Sequence, residues 1–108
     1  MTLRLTVFPR AEHDAEMIFD WIAERSLRGA NHWFAVLQVA VRKVAENPAI
    51  YALAREDDLV NCNLRQFLFK TRQGNVYRGL FTIVDDEIRI LRIRGPGQPP
   101  LTPGEIDV

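Results

Sequence analysis

Between Pro9 and Pro48 the apolar residues recur twice at helical spacing, and after Leu64 they alternate in twos. This switch of period, from 3.6 to 2, limits the chain to a helical pair followed by a run of strands. In the first helical stretch, 10–25, Ala11, Ala15, Ile18 and Ile22 make one stripe, flanked by Trp21. Glu12, Asp14 and Glu16 lie in its first turns and Arg25 in its last, the order the helix dipole favours. In the second, 30–46, Ala30, Trp33, Leu37, Ala40 and Val44 share a face, with Phe34 and Val41 beside it. Ser26 to Gly29 breaks the first helix, and Asn47-Pro48 stops the second, because a residue before proline disfavours helix. So short a link makes the two an antiparallel hairpin.

Residues 2–8 alternate, with Leu3, Leu5 and Val7 on one side and Arg4, Thr6 and Phe8 on the other, and Pro9 ends this half-buried strand. Residues 49–63 lack a period and hold Glu56-Asp57-Asp58, which predicts a loop with one short turn. Strands are predicted over 64–72, 76–84 and 88–94, joined by turns at Gln73-Gly74-Asn75 and Asp85-Asp86-Glu87. Four of the six prolines fall within 95–104, which predicts a loop or extended tail and no packed element. The expected fold is α+β, two-layer, in the order β-α-α-β-β-β. A helical hairpin packs on one face of an antiparallel sheet, the first strand at its edge. Residues 1–95 form the domain and 96–108 a Pro/Gly-rich tail.

At 108 residues there is room for one domain and one modest core. Hydrophobic residues at 47% and charged ones at 26% exclude a disordered or fibrous chain. No apolar run nears the ~20 residues that span a bilayer, and the N-terminus does not read as a secretory leader. A single cysteine, Cys62, excludes an internal disulfide and a Cys-based zinc site. The expected compartment is the cytoplasm, with no membrane partner.

The formal net charge is zero, but it is unevenly spread. Residues 1–62 carry seven basic and nine acidic groups, residues 63–98 seven basic and three acidic, and the last ten residues two acidic. Twelve of the fourteen basic residues are Arg, whose planar fork suits phosphate and carboxylate. Strand alternation puts Phe67, Phe69, Tyr77, Phe81, Ile83, Leu91 and Ile93 on the helix side, with Gly79 letting the helices approach. It puts Arg4, Lys70, Arg72, Arg78, Arg92 and Arg94 on the other face, beside Leu68, Leu80 and Thr82, with no acid among them. Arg65 and Arg89 fall at the rim of the core side, and Arg65 is counted with the basic set. A polar sheet face in solvent needs no function. A face of one sign repels itself, however, and fits phosphates or the acidic segment of a partner better.

Other candidates are weaker. His13 and His32 read as surface groups on helices, and no HExxH or other metal-ligand spacing occurs. Gly95-Pro96-Gly97 opens no helix, so it is not a phosphate loop. Trp21 and Trp33 read as packing between the helices, Tyr77 as structural and Cys62 as a free thiol. Glu56-Asp57-Asp58 reads as a solvated loop, or as one that orders the basic face by ion pairing. No cofactor or metal is expected.

The helix from Ala11 to Ala23 resembles the RelE/ParE superfamily, the toxins of bacterial type II toxin–antitoxin pairs. So do Ala30 and Trp33, Asn47-Pro48, Arg65 opening an aromatic strand, Tyr77-Arg78, and the strand Ile88 to Arg94. The resemblance covers about residues 3–95. It implies an antitoxin partner encoded by the adjacent gene, whose C-terminal segment orders on binding. RelE-like members cut mRNA on the ribosome with basic sheet residues, and Lys70, Arg72 and Arg78 match those positions. Arg78, with Lys70, would then be catalytic, with Arg78 stabilising charge on the phosphate. The pattern departs after Arg94: Gly95-Pro96-Gly97-Gln98-Pro99-Pro100 stands where a basic segment with Tyr, His or Arg belongs, and no Tyr or His follows Tyr77. General acid–base catalysis needs such a group. ParE-like members carry a long hairpin, as 10–46 does here, and poison DNA gyrase. The expected function is therefore a ParE-like, plasmid-stabilising toxin acting on gyrase. The alternatives are a RelE-like endoribonuclease, an inactive toxin fold and a plain nucleic-acid-binding module.

Overall fold

A computed structural model describes residues 3–60, 62–71 and 74–108. Its strands are β1 (Arg4–Val7), β2 (Arg65–Lys70), β3 (Val76–Val84) and β4 (Glu87–Arg94), and its helices α1 (Pro9–Ala23) and α2 (Leu27–Glu46). Pro9 opens α1, where a missing N–H costs nothing. Ser26 caps α2, its hydroxyl accepting the Gly29 N–H at 2.9 Å. No helix among the described residues is long and apolar enough to cross a membrane.

The helices pack on one face of a four-stranded sheet of order β1-β4-β3-β2. The element order is the expected one, and β1 sits at the edge. It pairs with β4 in parallel, so the sheet is mixed rather than antiparallel. Parallel pairing follows from the hairpin, which carries the chain across the sheet between β1 and β2.

The helix side is aromatic. Trp33 of α2 is fully buried beside Phe69 and Tyr77, its ring centroid 5.6 Å from Tyr77, and Phe67 lies between Phe69 and Phe81. Gly79 serves Phe67 and not the helices. A Cβ on Gly79 would lie 2.0 Å from Phe67 Cζ, so the ring lies across its cross-strand partner. Trp21 does not join Trp33 between the helices; it is exposed under the Arg25 guanidinium, 3.8 Å from its centroid.

The other face is not open. A register shift between Leu80 and Phe81 lets Phe81 pair with Ile90 and Leu80 with Arg92, leaving Leu91 as the extra residue of a bulge. Ile88 and Ile90 therefore face the helices with Ile93, while Leu91 turns to the second face. Arg89, paired with Thr82, goes with it, 5.6 Å over the Phe8 ring. Strict alternation, which put Leu91 and Arg89 on the helix side, fails at this bulge. On the second face Leu80 and Leu91 pack with Ala54, Leu64, Leu101 and Ile106 as a second core. Ala54, Leu59 and Val60 supply part of its cover, around the 3-10 turn Arg55–Leu59, while the turn Pro48–Ile50 lies against α2. The tail supplies the rest. Leu101 and Ile106 are about 95% buried, around a short turn Pro103–Glu105 whose Glu105 carboxylate accepts the Thr102 N–H at 2.8 Å. The tail is thus packed, against the expectation from its proline density. Two apolar anchors outweigh it, because proline removes donors but does not prevent burial.

Candidate functional site

Of the residues expected on the basic face, Arg78, Arg92 and Arg94 stand together on the second face of the sheet, and the first two are matched by carboxylates. Arg78 on β3 meets Glu56 in a fork, Nη1 donating to Oε1 at 3.0 Å and Nη2 to Oε2 at 2.5 Å, while Nη1 also donates to Gln66 at 3.0 Å. Glu56 is only 4% exposed. The Arg78 hydrogen bonds hold its carboxyl below the usual range against the opposing pull of burial. Arg55 adds a longer contact of 3.9 Å.

Arg92 forms the second fork. Its Nε and Nη2 donate to Asp14 of α1 at 2.7 and 2.8 Å, and its Nη1 donates to the Glu105 carbonyl at 2.8 Å. The Asp14 hydrogen bond raises the Arg92 pKa further. Asp14 also accepts the Ile93 N–H at 2.9 Å. Because β1 pairs with β4 only as far as Ile90, the edge of β4 beyond it needs such an acceptor, and α1 supplies one.

The remaining cations differ. Arg4 pairs with Asp86 at 3.0 Å in solvent at the sheet edge. Arg65 donates to the Tyr51 carbonyl at 2.5 Å and stays at the rim of the helix side. Lys70 is exposed at the end of β2. Arg72 lies outside the described residues. Arg94 is 92% buried and donates to the Pro99 carbonyl. Burial, with Arg92 nearby, pushes its pKa down. Arg78 and Arg94 are direct cross-strand neighbours, and with Leu68, Val76 and residues 95–99 they border a pocket of about 220 Å³.

Sequence reasoning placed Arg78, Arg92 and Arg94 on one face but missed Asp14 as a partner. Only the Glu56-Asp57-Asp58 run signalled an ion-pairing role. The hydrophobic surface of the hairpin was expected to meet a partner, but not as the groove between the helices, about 1140 Å³, that the structure shows. Phe19 and Ala15 of α1 and Phe34, Leu37 and Val41 of α2 wall it, with Ile90 and Ile93 beneath. Phe19 and Phe34 meet edge to face at 6.4 Å. Glu12, Glu16 and Asp20 rim one side and Arg42 the other.

Tyr77 is poorly placed for acid–base chemistry. It is buried in the aromatic core, and burial raises its phenol pKa, so it stays protonated. Stabilising a transition-state phosphate needs donors aimed at it, and both terminal nitrogens of Arg78 already serve Glu56.

A helical hairpin over a mixed sheet, with arginine forks behind it, defines a small α+β domain. Residues 5–98 match the family model of the ParE toxin of the type II toxin–antitoxin system parDE. The chain belongs to this family, and so to the toxin side of such pairs, whose members imply an antitoxin partner. No curated protein matches it.

Proposed function

We propose that this chain is a ParE-like toxin that acts on DNA gyrase in the cytoplasm, stabilises a plasmid and is neutralised by a cognate antitoxin. The observation that carries this reading over mRNA cleavage is the Glu56–Arg78 fork. It occupies the arginine that a RelE-like nuclease would direct at phosphate. The missing Tyr or His after Tyr77 points the same way. The interhelical groove supports the antitoxin part, since its apolar walls and floor suit the apolar face of an amphipathic segment that orders on binding.

The test is induced expression in a bacterial host, with and without the neighbouring gene. Growth arrest with gyrase-dependent DNA breaks, relieved by co-expression and accompanied by a co-purifying complex, is expected. Unimpaired growth contradicts the toxin reading, and arrest with mRNA cut at ribosomes contradicts the gyrase reading. Glu56→Gln with Arg78→Gln removes both charges of the fork together. That double variant keeps its toxicity if the fork is structural, and loses it while folded if Arg78 is catalytic.

A further inference from the structure

The second sheet face carries a series of guanidiniums in which one acid is missing. Arg78 holds Glu56 and Arg92 holds Asp14, each through two nitrogens. Arg94 pairs across the sheet with Arg78 and is the most buried of the three, yet among the described residues no carboxylate lies within ion-pair distance of it. Its one protein acceptor among them is the Pro99 carbonyl, which takes Nη2. Nε and Nη1 are left without an acceptor there, and they are not sealed, since among the described residues the sole buried side-chain polar atom lacking a partner is Trp33 Nε1. Arg94 borders the 220 Å³ pocket, whose other lining includes Arg55, Leu68, Val76 and Gln98. An arginine so deeply buried is costly unless its charge is met.

We infer that this pocket is a receptor for one carboxylate of a partner polypeptide, an Asp or Glu side chain flanked by an apolar residue, with Arg94 as its anchor. The internal precedent is chemical: both neighbouring guanidiniums are met by carboxylates in fork geometry. Arg94 can repeat it with the second Nη2 hydrogen and either Nε or Nη1, on the edge that the Pro99 carbonyl leaves open. The size agrees, because ligand sites for drug-sized molecules run from about 300 Å³ upward, and 220 Å³ suits a single side-chain group. Exposed Leu68 and Val76 at the pocket give the flanking apolar residue its contact. The site lies on the opposite side of the sheet from the interhelical groove. It does not depend on the gyrase or antitoxin reading.

The test is a titration of the whole protein, at constant ionic strength, followed by the Nε–Hε NMR signal of Arg94. The probes are acetate, inorganic phosphate, and the blocked dipeptides acetyl-Leu-Glu-amide and acetyl-Leu-Gln-amide. Acetyl-Leu-Glu-amide should shift the signal saturably and bind about fivefold or more tighter than acetate, since part of a leucine side chain leaves water. The Gln dipeptide should leave the signal unmoved. Leu68→Ala should erase the dipeptide's advantage and spare acetate, and Arg94→Gln should abolish both responses. The wild-type titration decides the matter if Arg94→Gln fails to fold. No saturable shift, or an equal response to the Gln dipeptide, overturns the site. Phosphate binding more tightly than the Glu dipeptide overturns the assignment to a carboxylate.

Discussion

The two faces of the sheet are closed by different means. On the helix face, two amphipathic helices cover an ion-free cluster of Trp33, Phe67, Phe69, Tyr77 and Phe81. On the other face, two irregular segments cover a smaller aliphatic patch centred on Leu80 and Leu91. Irregular chain brings little apolar area of its own, so this cover is tied down at its edges by directional bonds. Arg78 holds the 55–59 turn through Glu56, Arg92 holds both α1 and the Glu105 carbonyl, and Arg94 holds Pro99. The contrast explains why arginines crowd one surface of a chain with no net charge. They fasten the second cover, and of these three Arg94 alone has no carboxylate partner among the described residues.

If the aromatic face carries most of the stability, Trp33→Ala should have the largest effect. Losing a fully buried indole costs about 4 kcal/mol, read as a lower denaturant midpoint with unchanged slope. Glu56→Gln comes next at about 3 kcal/mol, because it leaves a part-buried guanidinium without its charge partner. Gly79→Ala should cost about 2 kcal/mol by overpacking against Phe67. Its cost should shrink in a Phe67→Leu background, and additive costs would show that the ring contact is not the cause. Leu101→Ala should cost about 2 kcal/mol and raise hydrogen exchange in the cover of the second face, while leaving the helices protected. Arg4→Ala, at an exposed pair, should leave the midpoint unmoved.

Acid separates the faces again. The Glu56 carboxyl is held below the ordinary glutamate value of about 4.3. Its contribution is therefore complete above that value and is lost as pH falls through the depressed one. The wild type should lose stability along this acid limb, and Glu56→Gln should flatten it. An unchanged limb in the variant would show that the fork is not what acid breaks.

The architecture was legible because the helix stripes and strand alternation are long and clean, and even the core-facing Tyr77, Phe81 and Ile83 follow from them. The second face was half legible. Alternation placed Arg78, Arg92 and Arg94 together, but Asp14 and Glu56 reach them from segments 78 and 22 residues away, a separation no local pattern reports. One inserted residue at the β4 bulge moved Leu91 and Arg89 across the sheet, since a shift of one inverts every side chain beyond it. The tail was misread because four prolines mask two anchors, Leu101 and Ile106, that are five residues apart and share no period.

The most direct test of this account is a paired cleavage assay with the purified chain. One arm holds DNA gyrase and supercoiled plasmid, the other translating ribosomes and mRNA. Gyrase-dependent double-strand breaks that the antitoxin suppresses are expected, with intact mRNA. Cleaved mRNA with no gyrase-dependent breaks, abolished by Glu56→Gln with Arg78→Gln in folded protein, would contradict it.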